Sequence, residues 1–415
     1  MNPTAPGATA EWRSHGALPF AAMFGYSVSV IHIYGINPYI IPVTEEFGWT
    51  RAQFTGAFTL AILIQALLAV PVGMLVDRFG SRKLGLAGVL MVCLAFTTLG
   101  TADGNLTNWY LLWGLITLVA LPVQATVWTS AVATRFTASR GLAFAITLCG
   151  ASIAQFAFPP LATKLIGLYG WKTAFFWHGL IWLAIVLPFV FFFFRGARDA
   201  KMSDNGGTEA PARALGGMRF GEGLRSTVYV RLLLASLFFT FTIVALNYQF
   251  MPILSGWGIA PSNAAWLASL IGLASIVGRL VTGYVIDHFR ASHVGALVFL
   301  LPVIAVLLLL YGQGNALAPA LVAIMLGLTL GAEVDVIVYL TTRFFGLRNF
   351  GALYGGLLAA LSIGTATGPL AASMIFDRTG GYAPFFWLAI GLLILSSVSL
   401  FTLPKPPQIQ ETTGA

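Results

Sequence analysis

Gly73-Met74-Leu75-Val76-Asp77-Arg78-Phe79 closes one apolar run of the chain, and 210 residues later Gly283-Tyr284-Val285-Ile286-Asp287-His288-Phe289 closes another. The two stretches carry glycine, aspartate and phenylalanine at the same spacing, with apolar residues between the glycine and the aspartate. A second pair keeps nearly the same offset. Pro160-Leu161-Ala162, then Gly170 and Phe175-Phe176-Trp177, is echoed by Pro369-Leu370-Ala371, then Gly381 and Phe385-Phe386-Trp387. Repetition on this scale predicts two similar halves.

The composition says what the halves are made of. Of 415 residues, 58% are hydrophobic and only 9% charged, against about 25% charged in a soluble domain. So few charges cannot clothe a globular surface, and the mean hydropathy of +0.86 is spread along the whole length. Lipid is the implied solvent. Windows of about 20 apolar residues fall near 18–42, 52–76, 84–101, 107–131, 141–166 and 171–194, then near 231–255, 262–286, 293–312, 316–340, 351–376 and 381–403. The expected fold class is therefore an all-α integral membrane protein with twelve transmembrane helices in two pseudo-symmetric six-helix bundles. Its organisation reads as a cytosolic tail 1–17, a bundle 18–194, a Gly/Ala/Arg-rich cytosolic linker 195–230, a bundle 231–403 and a cytosolic tail 404–415.

Charge gives the orientation. With the N-terminus in the cytosol, 17 Lys and Arg residues fall in cytosolic segments and four outside, Arg51, Lys164, Lys172 and Arg378, while Arg279 lies within a span. The bias fixes both termini in the cytosol. The net charge of +8 is thus a topology signal rather than a nucleic-acid footprint. The first 17 residues hold no cleavable signal peptide. Cys93 and Cys149 sit in apolar runs, where free cysteine behaves as a small hydrophobe, and give no disulfide, metal or redox role. A two-halves helical protein of this kind is expected to be a rocking secondary transporter with a midplane site.

The first copy of the repeat, continued as Gly80-Ser81-Arg82-Lys83, resembles the signature loop between helices 2 and 3 of the major facilitator superfamily. Glu45-Glu46-Phe47-Gly48-Trp49-Thr50-Arg51, with an arginine inside helix 8, is similar to the monocarboxylate transporter branch and its bacterial relatives. The resemblance spans the whole chain and implies the major facilitator fold, alternating access and a small organic anion, monocarboxylate-like or aromatic, as substrate. Two departures stand out. Animal members carry an Asp four residues before the helix 8 arginine, where this chain has Ser275; oxalate:formate exchangers carry a helix 11 lysine, and none occurs here between Lys201 and Lys405.

Arg279 lies about 12 Å from the cytosolic end of its helix, by a rise of about 1.5 Å per residue. A midplane arginine costs roughly 2.5–3.5 kcal/mol to insert, so it should face a wet cavity or an acidic partner. Its fork fits a carboxylate bidentately, which makes a substrate anion one reading and an ion pair with helix 10 the other. Its repeat mate is Ala69, so the scaffold does not require a charge there. Glu333 and Asp335 lie about 15 and 12 Å deep in helix 10 and project about 200° apart. One of them at most points into the cavity, and each is either a proton carrier or a structural partner. His32 is a further binding or titrating candidate, with satisfied packing as the plainer reading. Tyr34, Asn37, Gln124, Asn247, Tyr248 and Gln249 are polar groups on helices that line the cavity in the resembled family.

The signature loops imply gating. Asp77 is expected beside the start of helix 11 near Gly351, where the helix dipole favours negative charge, with Arg78, Arg82 and Arg135 completing the latch and Asp287 near Gly141 as its symmetric counterpart. Solvated topology charge is the alternative, and it suits the arginines better than the aspartates. Gly327-Leu328-Thr329-Leu330-Gly331 and Gly364-Thr365-Ala366-Thr367-Gly368 have helix-packing spacing. No phosphate-binding loop is present, so no ATP or other cofactor is expected. Partners reduce to the anion, a proton and the bilayer, with a monomer sufficient. The expected function is proton-coupled transport of the anion across a plasma membrane, in a bacterium the inner one; exchange or facilitation without a proton is the alternative. A membrane enzyme would need clustered catalytic groups, and the five histidines are scattered; a sensor would need an appended soluble domain.

Overall fold

A computed structural model describes residues 8–136, 139–196, 218, 220–346 and 350–406, and within them all side chains except those of 8, 69–79, 122, 126, 140–141, 220, 287 and 350–352. Among these residues every regular element is a helix. The chain forms two compact units, Met1–Trp49 with Ile64–Gly207, and Thr50–Leu63 with Thr208–Ala415.

The first unit holds α1 (Ala8–His15), α2 (Ala17–Ser29), α3 (Ile31–Tyr34), α4 (Ile40–Phe47), the later part of α5 (Arg51–Phe79), α6 (Ser81–Thr98), α7 (Leu106–Ala120), α8 (Ala125–Ala133) and α9 (Arg140–Phe193). The second holds the start of α5, then α10 (Phe220–Arg225), α11 (Thr227–Tyr248), α12 (Phe250–Gly256), α13 (Pro261–His288), α14 (Ala291–Tyr311), α15 (Ala318–Phe345), α16 (Phe350–Thr379) and α17 (Ala383–Phe401).

Nine helices among the described residues are long and apolar enough to span a bilayer. Twelve crossings follow once the irregular ones are read. The α2–α4 stretch is a further span bent by 50°. In α9 the backbone turns at Gly170 (φ 74°, ψ 162°), a conformation glycine adopts without a Cβ clash, so that helix is two crossings. Finally α7 and α8 make one crossing interrupted by the 3-10 turn Leu121–Val123.

The small residues set which helices touch. An ideal Cβ on Gly150 of α9 would lie 2.1 Å from Met23 O of α2, so those two helices meet backbone to backbone. In the second unit Gly331 of α15 would place a Cβ 1.9 Å from Ser275 O of α13, and Gly278 of α13 one 2.1 Å from Leu328 O of α15. Gly368 of α16 presses on Phe241 O of α11 in the same way, at 1.9 Å. The stretch expected to be a polar tail carries α1. Its Glu11, 3% exposed, accepts from Ser139 N–H and Oγ, both at 3.1 Å, and its Trp12 ring sits 5.1 Å from Phe136. Glu11 thereby caps the start of α9.

Candidate functional site

In the second unit the α13–α15 contact decides the site. Because Gly278 and Gly331 bring the two backbones together, Arg279 and Asp335 face each other across a short gap. Arg279 Nη1 donates to Asp335 Oδ1 at 3.1 Å, and the side chains remain 15% and 31% exposed. Among the described residues Nη1 is the only guanidinium atom so engaged, and Arg279 Nε is buried with no acceptor. The Nε–H and outer Nη2–H edge is the fork that takes a carboxylate bidentately, and it is left over here.

Two residues back along α15, Glu333 is 4% exposed and accepts from the Thr240 hydroxyl of α11. No cation pairs with it among the described residues. The two acids, separated by about 200° on the helix, thus have different partners: Asp335 has the arginine and Glu333 a neutral hydroxyl.

In the first unit two helix breaks are stitched together. α2 ends at Val30 (φ −111°, ψ 12°) and the α7–α8 crossing opens at Gln124 (φ −61°, ψ 168°). The Ser29 hydroxyl donates to Val123 O, and Trp128 Nε1 donates to both Ser29 Oγ and Val123 O at 3.0 Å. Backbone carbonyls freed by the breaks are thus satisfied inside the bundle, as a span in lipid requires. Beside them Gln124 Nε2 lies 3.5 Å from Gln65 Oε1, and Gln65 Nε2 lies 3.1 Å from His32 Nε2.

The other expected site residues are more dispersed. Tyr34 is half-buried at the end of α3, and Asn37, buried, opens the following 3-10 turn. Asn247 and Tyr248 are buried at the end of α11, with the Tyr248 ring 4.9 Å from Phe58. Gln249 is a structural hub: it donates to Ser373 Oγ at 2.7 Å and accepts from the Tyr382 hydroxyl at 2.8 Å. Burial pushes the Tyr382 phenol up to about 12, with Arg51 opposing the shift, so it keeps the proton it donates. Of the gating candidates, Arg82 donates to Phe191 O at 2.9 Å and Arg135 is half-buried after α8; Asp77, Arg78 and Asp287 lie outside the described side chains.

The Glu45–Arg51 motif has a visible use in each unit. Glu46 accepts from Trp171 Nε1 and pairs with Lys172 at 2.8 Å, and Trp49 Nε1 donates to Gly104 O at 3.1 Å. Arg51 donates to the Tyr382 hydroxyl and lies 3.7 Å over the Phe376 ring, while Asp377 accepts from the Arg51 and Ala52 amides at 3.1 and 2.8 Å. Gln65, Thr240 and Glu11 are absent from the sequence-level candidates. Gln65 carried a usable signal, a polar amide inside an apolar run.

The family model described as Major Facilitator Superfamily matches residues 22–332 and 233–415. Monocarboxylate transporter 13 of Bos taurus is 26% identical over 384 residues, 88% of this chain and 86% of that protein. A gallate transporter of Pseudomonas putida is 26% identical over 409 residues, 87% of each. The crystal structure of a D-xylose-proton symporter superposes with a TM-score of 0.71 at 14% identity, over 95% of this chain and 98% of that one, a likeness of fold alone.

Proposed function

The chain belongs to the major facilitator superfamily of membrane transporters, and from that premise we propose that it carries a small organic acid anion, coupled to a proton, by alternating access. The observation that carries the substrate class is Arg279: it is held at one nitrogen by Asp335 and has a buried Nε–H with no acceptor. A carboxylate satisfies that edge with two parallel charge-assisted bonds. Relatives named for monocarboxylate and gallate transport support the class, since each name denotes a carboxylate.

Glu333 is assigned the coupled proton, because it is the buried acid of α15 with no cationic partner among the described residues. Asp77, Arg78, Arg82, Arg135 and Asp287 are assigned to the cytosolic latch, which operates in a bacterial inner membrane with both termini inside. Tyr34, Asn37, Asn247 and Tyr248 contribute to the wall around the anion.

The test is equilibrium binding of a carboxylate panel to purified protein. Arg279→Lys keeps the charge without the fork and should weaken binding in part, whereas Arg279→Ala should weaken it further. Wild-type affinity in folded Arg279→Ala overturns the assignment.

A further inference from the structure

Gln124, Gln65 and His32 form a hydrogen-bond chain whose direction can be assigned. An amide nitrogen only donates. Gln124 Nε2 points at Gln65 Oε1 at 3.5 Å, so the opposite end of the Gln65 amide is its NH2, which lies 3.1 Å from His32 Nε2. His32 Nε2 is therefore an acceptor, and the ring proton sits on Nδ1. That Nδ1–H is in a fully buried side chain, 0% exposed, and finds no acceptor among the described residues.

A buried donor left unmatched costs a fold the desolvation of its N–H, and three side chains here combine to place it. The surroundings point the same way. His32 stands one turn past the break at Val30, Gln124 opens the break between α7 and α8, and the breaks are tied by Ser29, Val123 and Trp128. Interrupted spans that face each other are where transporters of this architecture hold small molecules. The edge of Trp113, 6.3 Å from the imidazole centroid at 77°, flanks the ring.

We propose that His32 Nδ1–H reads a neutral acceptor oxygen of the transported acid, a hydroxyl, ether or carbonyl oxygen distinct from its carboxylate, and that Gln65 and Gln124 act as positioning residues that fix the donor tautomer. The inference rests on the carboxylate reading above. It lies wholly within the first unit and makes the protein selective for oxygenated acids over hydrocarbon ones.

The experiment is isothermal titration calorimetry on the full chain in lipid nanodiscs with benzoates bearing methyl, hydroxyl or formyl at ring position 3 or 4. Methyl and hydroxyl are close in size, so their affinity ratio isolates the oxygen. Wild type should prefer at least one oxygenated acid over its methyl counterpart by about tenfold or more, the scale of a buried hydrogen bond with its partner otherwise unmet. In His32→Asn the amide nitrogen overlays Nδ1 and the ratio should persist. In His32→Gln it overlays Nε2 and the ratio should fall toward one. Any other pattern between these two variants overturns the proposal. If either variant fails to fold, Gln65→Met, which releases the tautomer, should shrink the ratio, and an unchanged ratio overturns it. Binding that depends on Arg279 but shows a ratio near one throughout overturns this inference alone; no binding of any acid by the wild type overturns the carboxylate reading with it.

Discussion

Replacing Asp335 by Leu leaves the Arg279 guanidinium beside α15 without its one partner. In a fully buried pair, loss of one member costs about 3–5 kcal/mol, because the other charge stays uncompensated. Here the side chains are 15% and 31% exposed, so water recovers a share, and the expected cost of Asp335→Leu is about 1–3 kcal/mol. Arg279→Met strands the carboxylate and should cost a similar amount. The double variant Arg279→Met/Asp335→Leu puts two apolar side chains where the charges met, so it should lose much less than the two single effects combined, with a coupling energy of about 1–3 kcal/mol. Tryptophan-fluorescence unfolding in detergent reads all four corners of this cycle. Calorimetry on the same samples should find no carboxylate binding in the double variant although it is folded, which separates the stabilising pair from the recognition edge. Additive destabilisation would refute the pair as the energetic link between α13 and α15.

Glu333→Gln keeps the shape and the Thr240 contact but removes the titratable group; proteoliposomes should retain anion exchange and lose uptake driven by a pH gradient, and intact gradient-driven uptake rules Glu333 out. Gly331→Ala must push aside Ser275 O, which its Cβ would meet at 1.9 Å, and should destabilise by roughly 1–3 kcal/mol, whereas Gly391→Ala, with nothing within 4 Å, should not, as unfolding midpoints will show. Gly206→Cys, outside the described residues, should stay unlabelled by an impermeant thiol reagent added to intact cells; labelling from outside contradicts the cytosolic linker. Asp77→Asn should slow uptake while equilibrium affinity persists, since it removes a helix-dipole contact of about 0.3–1 kcal/mol; a parallel loss of binding argues against the latch.

The helical membrane fold was legible because the lack of charge and the repeat are properties of the chain as a whole. Arg279 was legible because a cation in an apolar helix carries an energetic cost that only a partner or a wet site removes. Its partner was not, since Glu333 and Asp335 are both deep and only the closeness of α13 and α15 decides which acid meets the arginine. The glycine pairs announced tight packing but not which backbone each would press on. The helix break at Val30 had no local signal, because Gly35 and Pro38, which punctuate sequence more loudly, come later. Gln65 was passed over because one amide does not interrupt an apolar window. Glu11 was missed because a capping carboxylate acts across 128 residues of sequence.

The backbone contact between α13 and α15 has an electrical consequence. Arg279 and Asp335 are mounted on two helices that touch at Gly278 and Gly331, so they travel as one neutral dipole. An arriving carboxylate is then not charge-balanced by the arginine, which Asp335 has already neutralised, and the loaded carrier holds one extra negative charge. Moving it across the bilayer would work with or against the membrane potential by about 2.3 kcal/mol per 100 mV. A single proton taken up at Glu333 cancels that charge, and the loaded step becomes indifferent to voltage.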